Sequence, residues 1–306
     1  MKGQPLDEDS LLRLINEKGE TNPSVETSWT SKYWDMIGQL YWAPQYIGMK
    51  SISQRHWQIK DEYVLIPREM VNRDGPLYCR DKKIDLFYEY MRRQEESFNH
   101  IFDFAFATLT GDVTAEIFSG VCAVPADESY LSLGQEMRKR FGWTQHENVT
   151  APDGLFTGEK SILAVELKFN AKTSLDQLAK YLMIMLSEEE YLAQEKDLHL
   201  LYIFNAPPER TLLPQLGIES LEDLSVDILI GQVKNKRTRS YLEERHEKAQ
   251  RALERLSIQA VHWQDFTMRL ELFCAALSDS RGERTIRNII EGLIKEIKAH
   301  PLSNTD

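Results

Sequence analysis

Cysteine is scarce in this 306-residue chain: Cys79, Cys122 and Cys274 are its only three. They stand far apart, which excludes a disulfide framework and gives no zinc-knuckle spacing. That usage fits a reducing compartment, so the expected location is cytoplasmic. Long apolar runs are missing as well. The opening MKGQPLDEDS has no apolar leader core, and no window approaches the ~18 apolar residues that a membrane span needs, so no membrane partner is expected. Positive charge is in deficit, with 37 Lys and Arg against 48 Asp and Glu and a net charge of −11. Coating nucleic acid by bulk electrostatics is thereby excluded, although a local basic patch is not. His100, His146, His199 and His262 show no ligand spacing and are read as structural. Repeats, low-complexity tracts and flexible linkers are absent. What is present is 42% apolar residues, enough to bury a core in one large domain or two modest ones.

Two regions are expected. Residues 1–80 open with a short helical pattern, Leu11, Leu12 and Ile15 behind Asp9 and Ser10, and then turn aromatic: Trp29, Tyr33, Trp34, Tyr41, Trp42, Tyr46 and Trp57 with Lys50, Arg55 and Lys60 interleaved. Such a mixture can stack on bases. The reading preferred is a small core or a docking surface, either for the rest of the chain or for a protein partner, because aromatics dominate burial. Residues 81–306 carry the main domain. From Ile84 to Phe106 apolar residues recur at 3.6-residue spacing (Ile84, Tyr88, Met91, Phe98, Phe102, Phe106), and continuing the stripe from Met91 lands on Glu95. A carboxylate on a buried face needs a partner or a metal.

A second helix is expected from Asp127 through Leu133, Met137 and Phe141 to Gly142, then strands near 145–149, 153–157 and 161–169 with a turn at Thr157-Gly158-Glu159-Lys160. A helix capped by Thr173 or Ser174 follows, with Leu175, Leu178, Leu182 and Met185 on one face. The apolar strand LHLLYIFNAPP ends at Pro207-Pro208. Beyond it come a loop-rich section, a charged helix over 239–256, a strand at SIQAVHW and two last helices to about 298. The basic run KNKRTR at 234–239 reads as a solvated loop before a DNA contact.

The stretch TAPDGLFTGEKSILAVELKFN concentrates the chemistry. In a strand, Glu166 and Lys168 point to one face and Val165, Leu167 and Phe169 to the other, which puts the two charges roughly 7 Å apart along the strand. Pairing through the turn delivers Asp153 to the same end and the same face. An acidic-x-Lys triplet alone is a poor signal, but Asp81-Lys82-Lys83 begins a helix and Glu296-Ile297-Lys298 lies inside one, where i and i+2 diverge.

Pro152-Asp153 with Glu166-Leu167-Lys168 resembles the signature of the PD-(D/E)xK phosphodiesterase superfamily. Gln177 and Tyr181, in Gln177-Leu178-Ala179-Lys180-Tyr181, look like the Gln-x-x-x-Tyr extension of its RecB-type nuclease branch. The resemblance covers residues 145–205. It implies an α/β fold, a small central mixed sheet flanked by helices as in restriction endonucleases, here with helical extensions at both ends. It also implies a Mg²⁺-dependent nuclease, a hydrolase of phosphodiester bonds in restriction, defence or repair. DNA is favoured over RNA as the partner, and a homo-oligomer stays open.

The implied metal ligands are Asp153, Glu166 and the Leu167 carbonyl, hard oxygens that suit Mg²⁺, with Mn²⁺ as a substitute. Lys168 would orient water or stabilise developing charge, and Gln177 and Tyr181 would brace the site or touch a phosphate. Many members add an acid from an upstream helix; Glu95 is the candidate, with Glu96 and Glu136 competing. The charges are expected at an open edge, where losing Lys168 costs little stability. The alternative is a catalytically silent nucleic-acid-binding or assembly subunit that retains the fold.

Overall fold

The computed structural model describes residues 28–33, 95–121, 127–133, 152–169 and 172–300. A five-stranded mixed sheet lies at the centre, in the order β1-β2-β3-β4-β5: Leu131–Ser132, Gly154–Thr157, Ser161–Lys168, Asp197–Phe204 and Leu256–His262. β1, β2 and β3 pair antiparallel, and β3, β4 and β5 pair parallel. Parallel neighbours need a crossover, which α3 (Leu175–Leu192) supplies between β3 and β4.

Every residue of β3 is buried, as expected of a strand covered on both faces. Its two faces meet different layers. Leu163, Val165 and Leu167 join a core with Phe98, Phe102 and Phe106 of α1 (Glu95–Thr108) and with residues of α2 (Gly111–Ser119), α8 (Trp263–Ala276) and α9 (Arg281–Ala299). Ile162 and Ala164 pack against Leu178, Leu182 and Met185 of α3. The 3.6-residue stripe on α1 and the cap of α3 follow the sequence expectation, and Ser174 is the N-cap, its side chain accepting from Gln177 N–H. Ile84, Tyr88 and Met91 lie outside the described residues.

The helix expected from Asp127 does not form over 127–133, which make a turn and the short β1. The rest of that helix and the strand at 145–149 fall outside the described residues. Asp127 uses its carboxylate otherwise. Oδ1 accepts from the Ser129 hydroxyl and amide, while Oδ2 accepts from the amides of Lys160 (2.9 Å) and Ser161 (3.0 Å) and from the Ser161 hydroxyl (3.1 Å). One side chain thus ties β1 to the β2–β3 turn. A Cβ at Gly158 would overlap that carboxylate, so the close approach requires glycine.

Burial alone would raise the Asp127 pKa, but these donors outweigh it and hold it at about 2. A depressed carboxyl stabilises the fold above its unfolded pKa of 3.8 and loses that contribution as pH falls toward 2. Asp127→Asn should therefore lower the melting temperature at neutral pH, by the equivalent of about 2 kcal/mol for hydrogen bonds to a charge. It should also flatten the acid limb of melting temperature against pH between about 4 and 2.

Residues 208–238, expected as loop-rich, form α4 (Pro208–Leu216), a 3₁₀ turn at Leu221–Asp223, α5 (Val226–Gln232) and the start of α6 (Lys236–Glu244). β4 ends at Phe204, short of the Pro207-Pro208 pair, and Pro208 sits in the first turn of α4, where its missing N–H costs nothing. Ser225 and Asn235 are N-caps rather than loop residues, so KNKRTR begins a helix. The charged helix breaks at Arg245 into α6 and α7 (His246–Arg255). β5, α8 and α9 match the expected strand and two last helices.

Of the N-terminal aromatics, Trp29 donates from Nε1 to the Ile289 carbonyl (3.0 Å) and packs with Tyr33 against the α1-side core. The remaining aromatics of that region lie outside the described residues. Among the described residues no helix is long and apolar enough to cross a membrane.

Candidate functional site

β3 is apolar from Ile162 to Val165, ahead of its last three residues, and its alternation decides the geometry. Glu166 and Lys168 are in phase with Ile162 and Ala164, so they face α3. Their salt bridge is 2.5 Å long. Both are buried, at 4% and 5% exposure, which corrects the expectation of an open edge: α3 covers the face and excludes water from the pair.

Three side-chain donors converge on Glu166. Oε1 accepts from Lys168 Nζ and from Gln177 Nε2 (2.6 Å), and Oε2 accepts from the Tyr181 hydroxyl. Gln177 Nε2 also donates to Tyr181 OH (2.7 Å). Gln177 and Tyr181 are one turn apart on α3, so both reach one carboxylate. Tyr181 is wholly buried. Burial, then the charge of Glu166, raise its pKa well above the phenol range, and Asp153 adds to the rise. It remains a donor at any physiological pH.

Removing that donor in Tyr181→Phe leaves a buried carboxylate oxygen short of a partner. The expected loss is about 1–3 kcal/mol, read as a lower urea midpoint at unchanged slope.

Asp153 stands at the same end of the sheet but is held differently from the expectation. It directly precedes Gly154, which pairs with Val165. Its Oδ2 accepts from the Leu167 amide (2.7 Å) and its Oδ1 from Asn99 Nδ2, on α1. The carboxylate therefore continues the β2–β3 ladder as a side chain and is anchored toward the α1 layer, whereas Glu166 faces α3. Backbone groups alternate sides along a strand. The Lys168 carbonyl accepts from Asn205 N–H on the β4 side (3.1 Å), so the Leu167 carbonyl points the other way, toward Asp153, where the β2 ladder has ended.

Among the described residues no group of three or more His, Cys, Asp or Glu side chains is placed to hold a metal ion. The side chain of the third acid of the expected set lies beyond those residues. Glu95 is the first residue of α1, but its side chain and that of Glu96 lie outside the described residues, as does Glu136. The donor chemistry that is described fits a hard cation: two carboxylates, one main-chain carbonyl and the amide of Asn99, whose Oδ1 is buried without a hydrogen-bond partner among the described residues.

Sequence reasoning missed Asn99, an ordinary residue on the flank of an apolar helix. It also missed the support behind Gln177 and Tyr181. Thr173 Oγ1 donates to the buried Tyr202 hydroxyl (3.2 Å) and lies 3.4 Å from Gln177 Oε1, while its amide donates to Gln215 Oε1 (2.8 Å). Tyr202 is the register partner of Glu166 on β4. His300 was missed too: it stacks on Phe169 at 3.7 Å, and burial depresses its pKa to about 4, so it is neutral at neutral pH. His262 caps α8 and His199 is a buried core residue, in keeping with their structural reading. Comparison of the chain with protein-family models, with curated proteins and with solved structures returns no match.

Proposed function

We propose that this chain is a divalent-cation-dependent nuclease that hydrolyses phosphodiester bonds, with a core of the restriction-endonuclease type and with DNA favoured over RNA as substrate. The observation that carries the reading is that Asp153 bonds the backbone of β3 at the end where Lys168, Gln177 and Tyr181 gather on Glu166. Asp153 bonds the Leu167 amide of the very triplet that supplies the other two charges, and α3 brings its Gln177 and Tyr181 onto Glu166. A surface ion pair would need none of this support, since exposed pairs contribute little.

Asp153, Glu166 and the Leu167 carbonyl would hold Mg²⁺ or Mn²⁺. When bound, such a cation polarises the phosphodiester and lowers the pKa of a water. The chain's own groups do the rest. Lys168 pairs with Glu166 in a water-poor site, where a fixed charge would stabilise a developing phosphorane more strongly than in solvent. Gln177 and Tyr181 fix the Glu166 rotamer, and the Leu167 amide and Asn99 fix that of Asp153, so neither carboxylate has to reorganise.

The test is incubation of the full chain with duplex DNA, single-stranded DNA and RNA, in Mg²⁺ and in chelator. Cleavage in Mg²⁺ alone, lost in Asp153→Asn, is expected. One observation favours a second reading, a nucleic-acid-binding or assembly subunit without turnover: three side-chain donors already satisfy Glu166 within the chain. Nucleic-acid binding indifferent to chelator, with no cut strand in any condition, would select it.

A further inference from the structure

Asn99 stands in the second turn of α1, half-buried. Its Nδ2 meets Asp153 Oδ1. An ionised carboxylate can only accept, so the amide must turn its NH₂ toward Asp153 and its carbonyl oxygen away. That carbonyl oxygen, Oδ1, is buried and has no hydrogen-bond partner among the described residues. Leaving a buried acceptor unmade is unfavourable, and an unsatisfied group in an otherwise well-bonded site calls for an explanation. A residue serving only to tie α1 to β2 could be satisfied by any donor-bearing side chain and would not need to hold an oxygen beside the candidate cation site.

We infer that Asn99 is a positioning residue of the cation site: its NH₂ clamps Asp153, and its Oδ1 accepts a hydrogen bond from a water carried by the cation. The inference rests on the nuclease reading above and adds a residue to it. Two further observations fit. The second oxygen of Asp153 is clamped by the Leu167 amide, so Asn99 supplies the complementary restraint from the helical layer. Positions 95 and 99 are one turn apart and share a face of α1, which makes the face that delivers Asn99 the same one on which the sequence stripe placed an upstream acid.

Asn99→Leu keeps the branched shape and removes both functions. Asn99→Asp removes the donor but offers a charged oxygen in place of the neutral one. The experiment is calorimetric titration of the full chain with Mg²⁺ and with Mn²⁺, for wild type and both variants, together with melting in chelator and in saturating cation. Wild type should bind one cation. Asn99→Leu should bind it about tenfold more weakly or worse while still folding. Asn99→Asp should melt lower than wild type in chelator, from repulsion with Asp153, and gain more than wild type from added cation. Equal affinity in wild type and Asn99→Leu would overturn the role of Asn99 and leave the nuclease reading standing. Absence of any cation binding by folded wild type would overturn that reading itself and this inference with it.

Discussion

Glu166→Gln should abolish Mg²⁺-dependent cleavage and also lower the melting temperature substantially. Both carboxylate oxygens of Glu166 accept from donors, so a glutamine amide must press its NH₂ against one of them. The larger effect is the Lys168 ammonium left without its counter-charge at 5% exposure. Breaking one side of a buried ion pair costs about 3–5 kcal/mol, roughly 6–20 °C for a domain of this size. A variant that melts like wild type would mean that Lys168 has another anion within reach. A variant that still cuts in Mg²⁺ would remove Glu166 from the site.

Lys168→Met is expected to separate the two roles of the lysine. The Glu166 carboxylate it leaves behind keeps Gln177 and Tyr181 as donors, so the loss of stability should be smaller than in Glu166→Gln, while cleavage should fall by on the order of 10² or more, as when a preorganised electrostatic group is removed. Cation binding should persist or tighten, because one positive charge beside the ligands is gone. The double variant Glu166→Gln, Lys168→Met replaces the pair by neutral groups of similar shape. Buried pairs replaced in this way are often no less stable than the parent, so most of the stability lost in Glu166→Gln should return without any return of activity.

The centre of the molecule was legible because its sequence obeys simple periods. The eight residues of β3 announce a buried strand, and their alternation alone places Glu166 with Lys168 on one face. Ser174 and the apolar stripe of α3 announce that helix and put Gln177 and Tyr181 on one side of it. The edge of the sheet was not legible. β1 is two residues long, and Asp127 is as good a helix cap as a turn residue, the choice being settled by donors more than thirty residues away at Lys160 and Ser161. Pro208 reads as a stop in the sequence, yet β4 has already ended at Phe204 and the proline opens a helix. Asn99 carries no pattern of its own, since its significance comes from Asp153, 54 residues later. The depth of the Glu166–Lys168 pair was misjudged for a similar reason: a strand's alternation tells which side a charge faces, not how completely a helix covers it.

The most direct measurement is single-turnover cleavage of a labelled DNA duplex in Mg²⁺ by folded wild type and by the folded Glu166→Gln, Lys168→Met double variant, with melting curves taken on the same preparations. The site described above predicts that wild type cuts the duplex in Mg²⁺ and not in chelator, and that the double variant fails to cut although it melts close to wild type. Cutting by the folded double variant at the wild-type rate would show that β3 carries a structural ion pair and that the chemistry lies elsewhere.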